Sequence, residues 1–263
     1  MKSVPSWLAS GQGDIPLVLL HGMGSSAEVW LPQLHHFGRR RLTLAWTMPG
    51  YGNSQALAEN SWEALADALA AMLDAQGMDR VHLLGHSIGG MVAQAFHHRH
   101  PQRVASLILS ATSAGFGSPD PAWQEEFIRQ RAEPLADVAR FADAAPALLK
   151  NFIGPAITPA MHAIALLAAD QVDRDRYLDY MRLLVTFDRK AALGDIAVPT
   201  LLLAGELDLQ APPKGMRRMA ERIPHAALHE FPHTNHMANL ESPDAFNRVV
   251  DDFLATHFPH TAP

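Results

Sequence analysis

The stretch that decides the fold is VHLLGHSIGG, residues 81–90. The apolar run Val81–Gly85 is typical of a buried strand, and the segment Ile88–His100 that follows is typical of a helix. Between them, the pattern Gly-x-Ser-x-Gly indicates a sharp strand-to-helix turn that lifts a serine hydroxyl above the sheet edge. The flanking glycines permit this turn because a Cβ at either position would clash. We therefore predict that Ser87 is a nucleophile and not merely a helix cap.

Outward from this turn, short apolar runs alternate with helical patterns. Five further runs predict strands: Pro16–Leu20, Leu42–Trp46, Val104–Leu109, Thr200–Ala204 and Ala227–Phe231. Helices are predicted at Glu28–Phe37, Trp62–Gln76, Gly215–Arg222 and Pro243–His257. This alternation predicts an α/β fold, with a mostly parallel sheet and helices on both of its faces.

The alternation stops between about Gly115 and Leu193, where only helical patterns and proline-broken turns occur. We therefore expect residues 1–114 and 191–263 to form the sheet domain and residues 115–190 to form an inserted helical cap. The aromatic residues of this segment are candidates for a substrate pocket, although helical spacing also suits the core of the cap: Trp123, Phe127, Phe141 and Phe152. Three arginines of the same segment could pair with a substrate carboxylate, but solvated surface charge is the favoured interpretation of each: Arg129, Arg131 and Arg140.

A serine hydroxyl needs a general base, and the base needs an acid to orient it. After a nucleophile elbow the chain order is serine, acid, histidine. The strand Thr200–Ala204 precedes Glu206 and Asp208, and Asp208 is favoured because it lies deeper in its loop, with Glu206 as the alternative. The strand Ala227–Phe231 precedes two histidines. His236 is favoured as the base because it leads into the last helix, and His233 is the alternative.

Acyl transfer also requires N–H donors for a negatively charged oxygen. One donor should be the amide of Ile88, at the start of the helix. The second should come from the loop HGMGSS, residues 21–26, where Gly22 and Gly24 let the amide of Met23 point inward.

The composition narrows the range of functions. The 263 residues carry a formal net charge of −6 and have no cysteine. A mildly acidic surface argues against binding to nucleic acid, and the lack of cysteine excludes disulfides and thiolate metal sites. We expect no metal or other cofactor, no membrane segment and a cytoplasmic location, because neither a signal-like N-terminus nor a long apolar run is present. A small-molecule substrate is the expected partner, and the oligomeric state is left open.

Five segments of the chain resemble the α/β-hydrolase superfamily: HGMGSS at 21–26, PGYGNS at 49–54, GHSIGG at 85–90, AGELD at 204–208 and NHMANLESPDAFN at 235–247. The resemblance implies a catalytic triad of Ser87, Asp208 and His236, with the amides of Met23 and Ile88 as the oxyanion hole. The last segment is most similar to 3-oxoadipate enol-lactonases and related small-ester hydrolases. This chain departs from many of those relatives in having Thr47 and Asn235.

The expected function is that of a serine hydrolase that cleaves a carboxylic ester or an (enol-)lactone through an acyl-enzyme. Other activities of the same superfamily stay open: a C–C bond hydrolase, a cofactor-free oxygenase or perhydrolase, and a ligand receptor that retains the triad. Meta-cleavage C–C hydrolases usually carry a tryptophan shortly after the catalytic histidine, whereas Met-Ala-Asn-Leu stands here.

Overall fold

The computed structural model describes residues 4–13 and 15–259. Within these residues one seven-stranded sheet forms, in the order β1-β3-β2-β4-β5-β6-β7. Its strands are β1 (Trp7–Ser10), β2 (Leu17–Leu20), β3 (Thr43–Trp46), β4 (Val81–His86), β5 (Val104–Ser110), β6 (Thr200–Gly205) and β7 (Ala226–Phe231). All neighbouring pairs are parallel except β1 and β3. The predicted, mostly parallel α/β sheet is therefore confirmed.

The helices follow the expected alternation. They are α1 (Leu31–Phe37), α2 (Trp62–Ala75), α3 (Ile88–Arg99), α4 (Pro121–Ala132), α5 (Phe141–Leu149), α6 (Pro159–Ala169), α7 (Arg174–Leu184), α8 (Pro213–Ala220), α9 (Ala238–Glu241) and α10 (Pro243–His257). Helix α2 begins where its sequence predicts, because the Ser61 hydroxyl accepts a 3.0 Å hydrogen bond from the Ala64 N–H.

Both faces of the sheet are covered, which explains the continuous apolar runs of its central strands. Successive residues of β2 point in opposite directions. Val18 and Leu20 join the core under α2 and α3, whereas Leu17 and Leu19 join the core under α1 and α10. The strands next to the Ser87 turn are therefore fixed from both sides.

Two details differ from the expectations. Strand β1 was not predicted, because its four residues are only partly buried and pair antiparallel along one edge of β3. The predicted helix Glu28–Phe37 is divided, with a 3₁₀ turn at Ala27–Trp30 before α1. Pro32 stands at the beginning of α1, where its missing N–H is tolerated.

Helices α4 to α7 occupy the chain between β5 and β6. The two ends of this helical segment lie side by side. Gly115 and Asp188 form an isolated antiparallel bridge, and the Phe116 N–H donates to the Phe187 carbonyl at 2.9 Å. Apolar residues of the segment, such as Phe141 and Tyr180, belong to the same core cluster as α2 and α3. The segment thus packs onto the sheet over the end where β4 meets α3.

Two kinds of feature are absent from the described part of the chain. No helix there is long and apolar enough to cross a membrane. Across residues 4–13 and 15–259, no three His, Asp or Glu side chains are grouped so that they could hold a metal ion.

Candidate active site

Ser87 lies in the turn between β4 and α3 and adopts φ 54° and ψ −121°. This is a region that residues with a side chain rarely occupy, and such strain is concentrated at functional sites. The turn is tight, since a Cβ on Gly85 would overlap the backbone of Gly89. The Ser87 N–H donates to the Ser110 carbonyl at 2.9 Å, so the neighbouring strand β5 holds the strained residue.

Asp208 and His236 are brought together by the loops after β6 and β7. His236 Nδ1 lies 2.8 Å from Asp208 Oδ2, and both side chains are almost fully buried. The other oxygen of Asp208 accepts the N–H groups of Gln210 and Ala211 at 2.7 and 3.0 Å. Burial by itself would raise the pKa of Asp208. Its contacts with His236 and these two amides outweigh burial and hold the pKa below the usual value.

The alternative acid and base lie elsewhere. Glu206 Oε2 accepts the backbone N–H of His233 at 2.8 Å, and the His233 side chain is 87% exposed. The two runner-up residues therefore contact each other at the surface, and neither lines the cavity that contains Ser87.

The glycine loop that follows β2 lies against the serine. A Cβ on Gly22 would lie 3.3 Å from the Ser87 Cβ, and Gly24 has a positive φ of 70° that favours glycine. In the part of the chain that the structure describes, no hydrogen bond uses the backbone N–H of Met23 or Ile88. Neither amide is therefore engaged by another described residue.

His21 holds this glycine loop, a role that sequence reasoning did not assign. Its side chain is fully buried, with Nδ1 at 2.8 Å from the Gly22 carbonyl. Nε2 accepts the Met48 N–H at 2.9 Å, so Nδ1 carries the proton. Burial lowers the pKa of His21 to about 4, which keeps the ring neutral at pH 7. The signal was present in the sequence as the His-Gly pair that ends the strand.

Glu241 is a second residue that sequence reasoning left without a role. Its buried carboxylate accepts three backbone N–H groups, from Gly154 and Asn235 at 2.9 Å and from Met237 at 3.1 Å. Asn235 and Met237 flank His236 in the chain. Burial raises the pKa of Glu241, although the three amides oppose that effect. Glu241 therefore ties the His236 loop to the helical segment.

The two departures from the expected motifs take part in ordinary backbone contacts. The Thr47 hydroxyl accepts the Ala27 N–H at 3.4 Å. Asn235 contributes its N–H to Glu241, and a Cβ on Gly205 would clash with its carbonyl. Neither residue interrupts the contact between Asp208 and His236.

A cavity of about 390 Å³ lies between the sheet and the helical segment. Ser87, His236 and Met23 line it together with three of the predicted pocket residues, Phe127, Phe141 and Phe152. The fourth candidate, Trp123, is not part of the lining. It is 37% exposed and stacks on the outer side of Phe127, with ring centroids 5.1 Å apart. The spacing of Trp123 and Phe127 on α4 could not show which of the two rings lines the cavity.

Comparison with known proteins places these features in context. The model of the alpha/beta hydrolase family matches residues 17–249. The chain is 31% identical to a pimeloyl-[acyl-carrier protein] methyl ester esterase of Photobacterium profundum, over 97% of this chain and 100% of that protein. It is 29% identical to a 2-hydroxy-6-oxononadienedioate/2-hydroxy-6-oxononatrienedioate hydrolase of Pseudomonas putida, over 93% and 89% of the two chains.

Among solved structures, the enol-lactonase of Burkholderia xenovorans LB400 superposes with a TM-score of 0.83 at 24% identity. The match covers 95% of this chain and 96% of that one. At this identity the likeness shows the shared fold.

Proposed function

The chain belongs to the alpha/beta hydrolase family, and we propose that it is a serine hydrolase that cleaves a carboxylic ester or lactone of a small molecule. The observation that carries the proposal is the buried 2.8 Å contact between Asp208 and His236, whose ring lines the same cavity as the strained Ser87. A buried carboxylate that orients an imidazole beside a serine is the arrangement that activates the hydroxyl as a nucleophile.

In the proposed mechanism, His236 takes the proton of Ser87 as the serine oxygen attacks the carbonyl carbon. Asp208 fixes the ring tautomer, with the proton on Nδ1, and stabilises the imidazolium that forms. The amides of Met23 and Ile88 donate to the developing oxyanion. His236 then protonates the leaving alkoxide, and the alcohol leaves or, in a lactone, stays tethered to the acyl group. Water, activated by His236, finally attacks the acyl-enzyme and regenerates Ser87.

We further propose that residues 115–190 act as a cap that shapes the substrate site. The cavity contains Phe127, Phe141 and Phe152 of this segment. The His236 N–H donates to the Phe152 carbonyl at 3.1 Å, so the segment also contacts the proposed base directly. A cavity of this size suits a small ligand.

An ester as substrate is supported by the similarity to a methyl ester esterase over nearly the whole of both chains. The relative from Pseudomonas putida is named for a different type of substrate, a hydroxy-oxo-dienedioate. A substrate for C–C bond hydrolysis is therefore tested as a separate class, because that activity is the alternative function.

Labelling with an active-site phosphonate, followed by mass spectrometry, tests the nucleophile. We expect an adduct on Ser87, and we expect Ser87→Ala to lower turnover of p-nitrophenyl acetate by at least about 10³-fold. The surface variants Glu206→Gln and His233→Ala are the matched controls and should retain activity. An unmodified Ser87, or full activity of Ser87→Ala, would refute the proposal. A panel of methyl esters, lactones and a dienedioate-type diketone then separates the substrate classes.

A further inference from the structure

The three arginines noted on the helical segment are not equivalent. Arg129 pairs with Glu126 at 2.8 Å on the surface, and Arg140 pairs with Asp170. Arg131, in contrast, has no carboxylate within ion-pair distance and makes no hydrogen bond to any described residue. Its charge is therefore uncompensated within the part of the chain that the structure describes.

Arg131 is also the arginine that faces the active-site cavity. It is half-buried and lines the cavity that contains Ser87. Its guanidinium carbon lies 3.5 Å from the centroid of the Phe127 ring, which is also stacked with Trp123. A guanidinium held by its face on an aromatic ring keeps the N–H groups at its edge available for a partner in its own plane.

Tyr177 supplies a second free donor on the same side. Its ring lines the cavity and packs on Phe141, with centroids 4.7 Å apart. No described residue forms a hydrogen bond with its hydroxyl. Burial raises the pKa of Tyr177 to about 12, with the opposing charge of Arg131 nearby, so the hydroxyl keeps its proton at neutral pH.

The position of Tyr177 relates this donor pair to the reaction centre. A Cβ on Gly24, next to the proposed oxyanion amide of Met23, would lie 3.4 Å from Tyr177 Cε2. The Tyr177 side chain therefore lies between the glycine loop and the part of the cavity that Arg131 lines. Since Ser87, Tyr177 and Arg131 all line one cavity, a substrate bound at Ser87 can extend toward the two donors.

We infer that Arg131 and Tyr177 form a subsite for a carboxylate group that the substrate carries on a short arm away from the scissile ester. This inference rests on the proposed function. A partly buried cation without a partner is costly, and a bound carboxylate would relieve that cost through charge-assisted hydrogen bonds to the guanidinium edge.

The charge balance favours a monoanion. Among the described residues that line the cavity, Arg131 is the only lysine or arginine. One carboxylate would neutralise it, whereas a phosphate dianion would leave negative charge in a cavity lined by four phenylalanines. The planar carboxylate also matches the guanidinium fork.

The test uses pairs of substrates that differ in one group. Monomethyl esters of succinate, glutarate and adipate are compared with analogues in which the free carboxylate is a carboxamide. For the best chain length, we expect the wild type to prefer the carboxylate by about tenfold or more in kcat/KM, as expected for one charge-assisted contact. Arg131→Gln should bring this ratio close to one, and Arg131→Lys should give an intermediate ratio because it keeps the charge but loses the fork.

Tyr177→Phe should lower the same ratio by about threefold, the size expected for one neutral hydrogen bond. The control is Arg129→Gln, which removes a surface arginine from the same helix and should keep the wild-type ratio. Thermal unfolding of each variant establishes that it is folded. A wild type without preference for the carboxylate, or a folded Arg131→Gln or Arg131→Lys variant with the full wild-type ratio, would overturn the inference.

A direct binding measurement separates this inference from the proposed function. Glutarate is titrated into the wild type and Arg131→Gln by calorimetry, which requires no turnover. Weaker binding to the variant supports the subsite even if no ester is hydrolysed and Ser87 stays unlabelled by the phosphonate. Equal affinity for both proteins, or no binding to either, counts against the subsite even if esters are hydrolysed.

Discussion

At the scale of single residues, the conformation of Ser87 carries a cost that the surrounding structure must offset. A residue with a side chain at φ 54° and ψ −121° is strained by about 1–3 kcal/mol. The hydrogen bond from Ser87 N–H to the Ser110 carbonyl and the buried strand β4 hold it in place. In this conformation Ser87 lines the cavity.

Asp208 offers the sharpest test of a single residue. Asp208→Asn should lower kcat by about 10³- to 10⁴-fold, because an amide can hold His236 in the wrong tautomer. Glu206→Gln, two residues away in the same loop, should retain wild-type kcat. Steady-state kinetics on p-nitrophenyl acetate compare the two variants. Similar losses in both would show that the loop, and not the contact between Asp208 and His236, controls activity.

At this scale the strand-turn-helix pattern and the chain order select Ser87, Asp208 and His236 as candidates, and the structure brings Asp208 and His236 into contact. The sequence does not separate Arg131 from Arg129, because both are equally open to a substrate carboxylate or to solvent. The structure separates them, since Arg129 pairs with Glu126 whereas Arg131 lines the cavity and packs on Phe127. The contacts of Glu241 were not predictable either. Glu241 is buried by residues distant in sequence, including Gly154 on the helical segment.

At the scale of elements, the loop that carries His236 depends on Glu241 for its shape. In the wild type, three N–H groups donate to the two carboxylate oxygens of Glu241. Glu241→Gln leaves these three donors a single acceptor oxygen. At least one buried N–H must lose its partner, at a cost of about 1–3 kcal/mol in the free energy of unfolding. Because His236 lies between two of the donors, kcat should also fall, by about tenfold or more, with little change in KM.

Chemical denaturation and steady-state kinetics measure these two effects. The matched control is Glu230→Gln, which removes a partly exposed partner of Arg217 and should change neither stability nor kcat appreciably. If Glu241→Gln is destabilised but keeps its kcat, Glu241 supports the fold alone. Full stability would contradict the assignment of the three hydrogen bonds.

Elements with a local sequence pattern could be predicted, whereas elements that depend on contacts with distant parts of the chain could not. The runs that form β2, β4 and β5 are buried on both faces, so each reads as a strand without further information. Strand β1 depends on pairing with β3 and has no such signal. The arrangement of α4 to α7 depends on contacts among helices. Trp123 and Phe127 lie four residues apart on one side of α4, so helical spacing could not show which of them lines the cavity.

At the scale of the whole molecule, buried neutral histidines make stability depend on pH. Burial lowers the pKa of His82 to about 4, compared with about 6.5 in an unfolded chain. Below pH 6.5 the unfolded chain therefore binds a proton that the folded protein does not bind until about pH 4. The stability that the neutral His82 contributes is present above pH 6.5 and is lost as the pH falls to 4.

Replacing His82 should reduce this acid sensitivity. His82 lies on β4, where its ring contacts the Ser106 hydroxyl at 2.8 Å. Between pH 7 and pH 4, the wild type should lose up to roughly 3 kcal/mol more unfolding free energy than His82→Gln. Urea unfolding across this range measures the difference, and the exposed-site variant His233→Gln should follow the wild type. Parallel curves for the wild type and His82→Gln would contradict the prediction.

The bridge between Gly115 and Asp188 holds the two ends of the helical segment side by side, so the segment can be exchanged as one unit. Because the chain leaves and re-enters the sheet at one point, a segment of different length or sequence can be inserted between the same two adjacent ends. Such a segment must also supply the contacts that the Phe152 carbonyl and the Gly154 N–H make with His236 and Glu241. The strands, the Ser87 turn and the Asp208 and His236 loops all lie outside these ends. On the proposed function, a grafted segment would change the choice of substrate without cutting the framework that carries Ser87, Asp208 and His236.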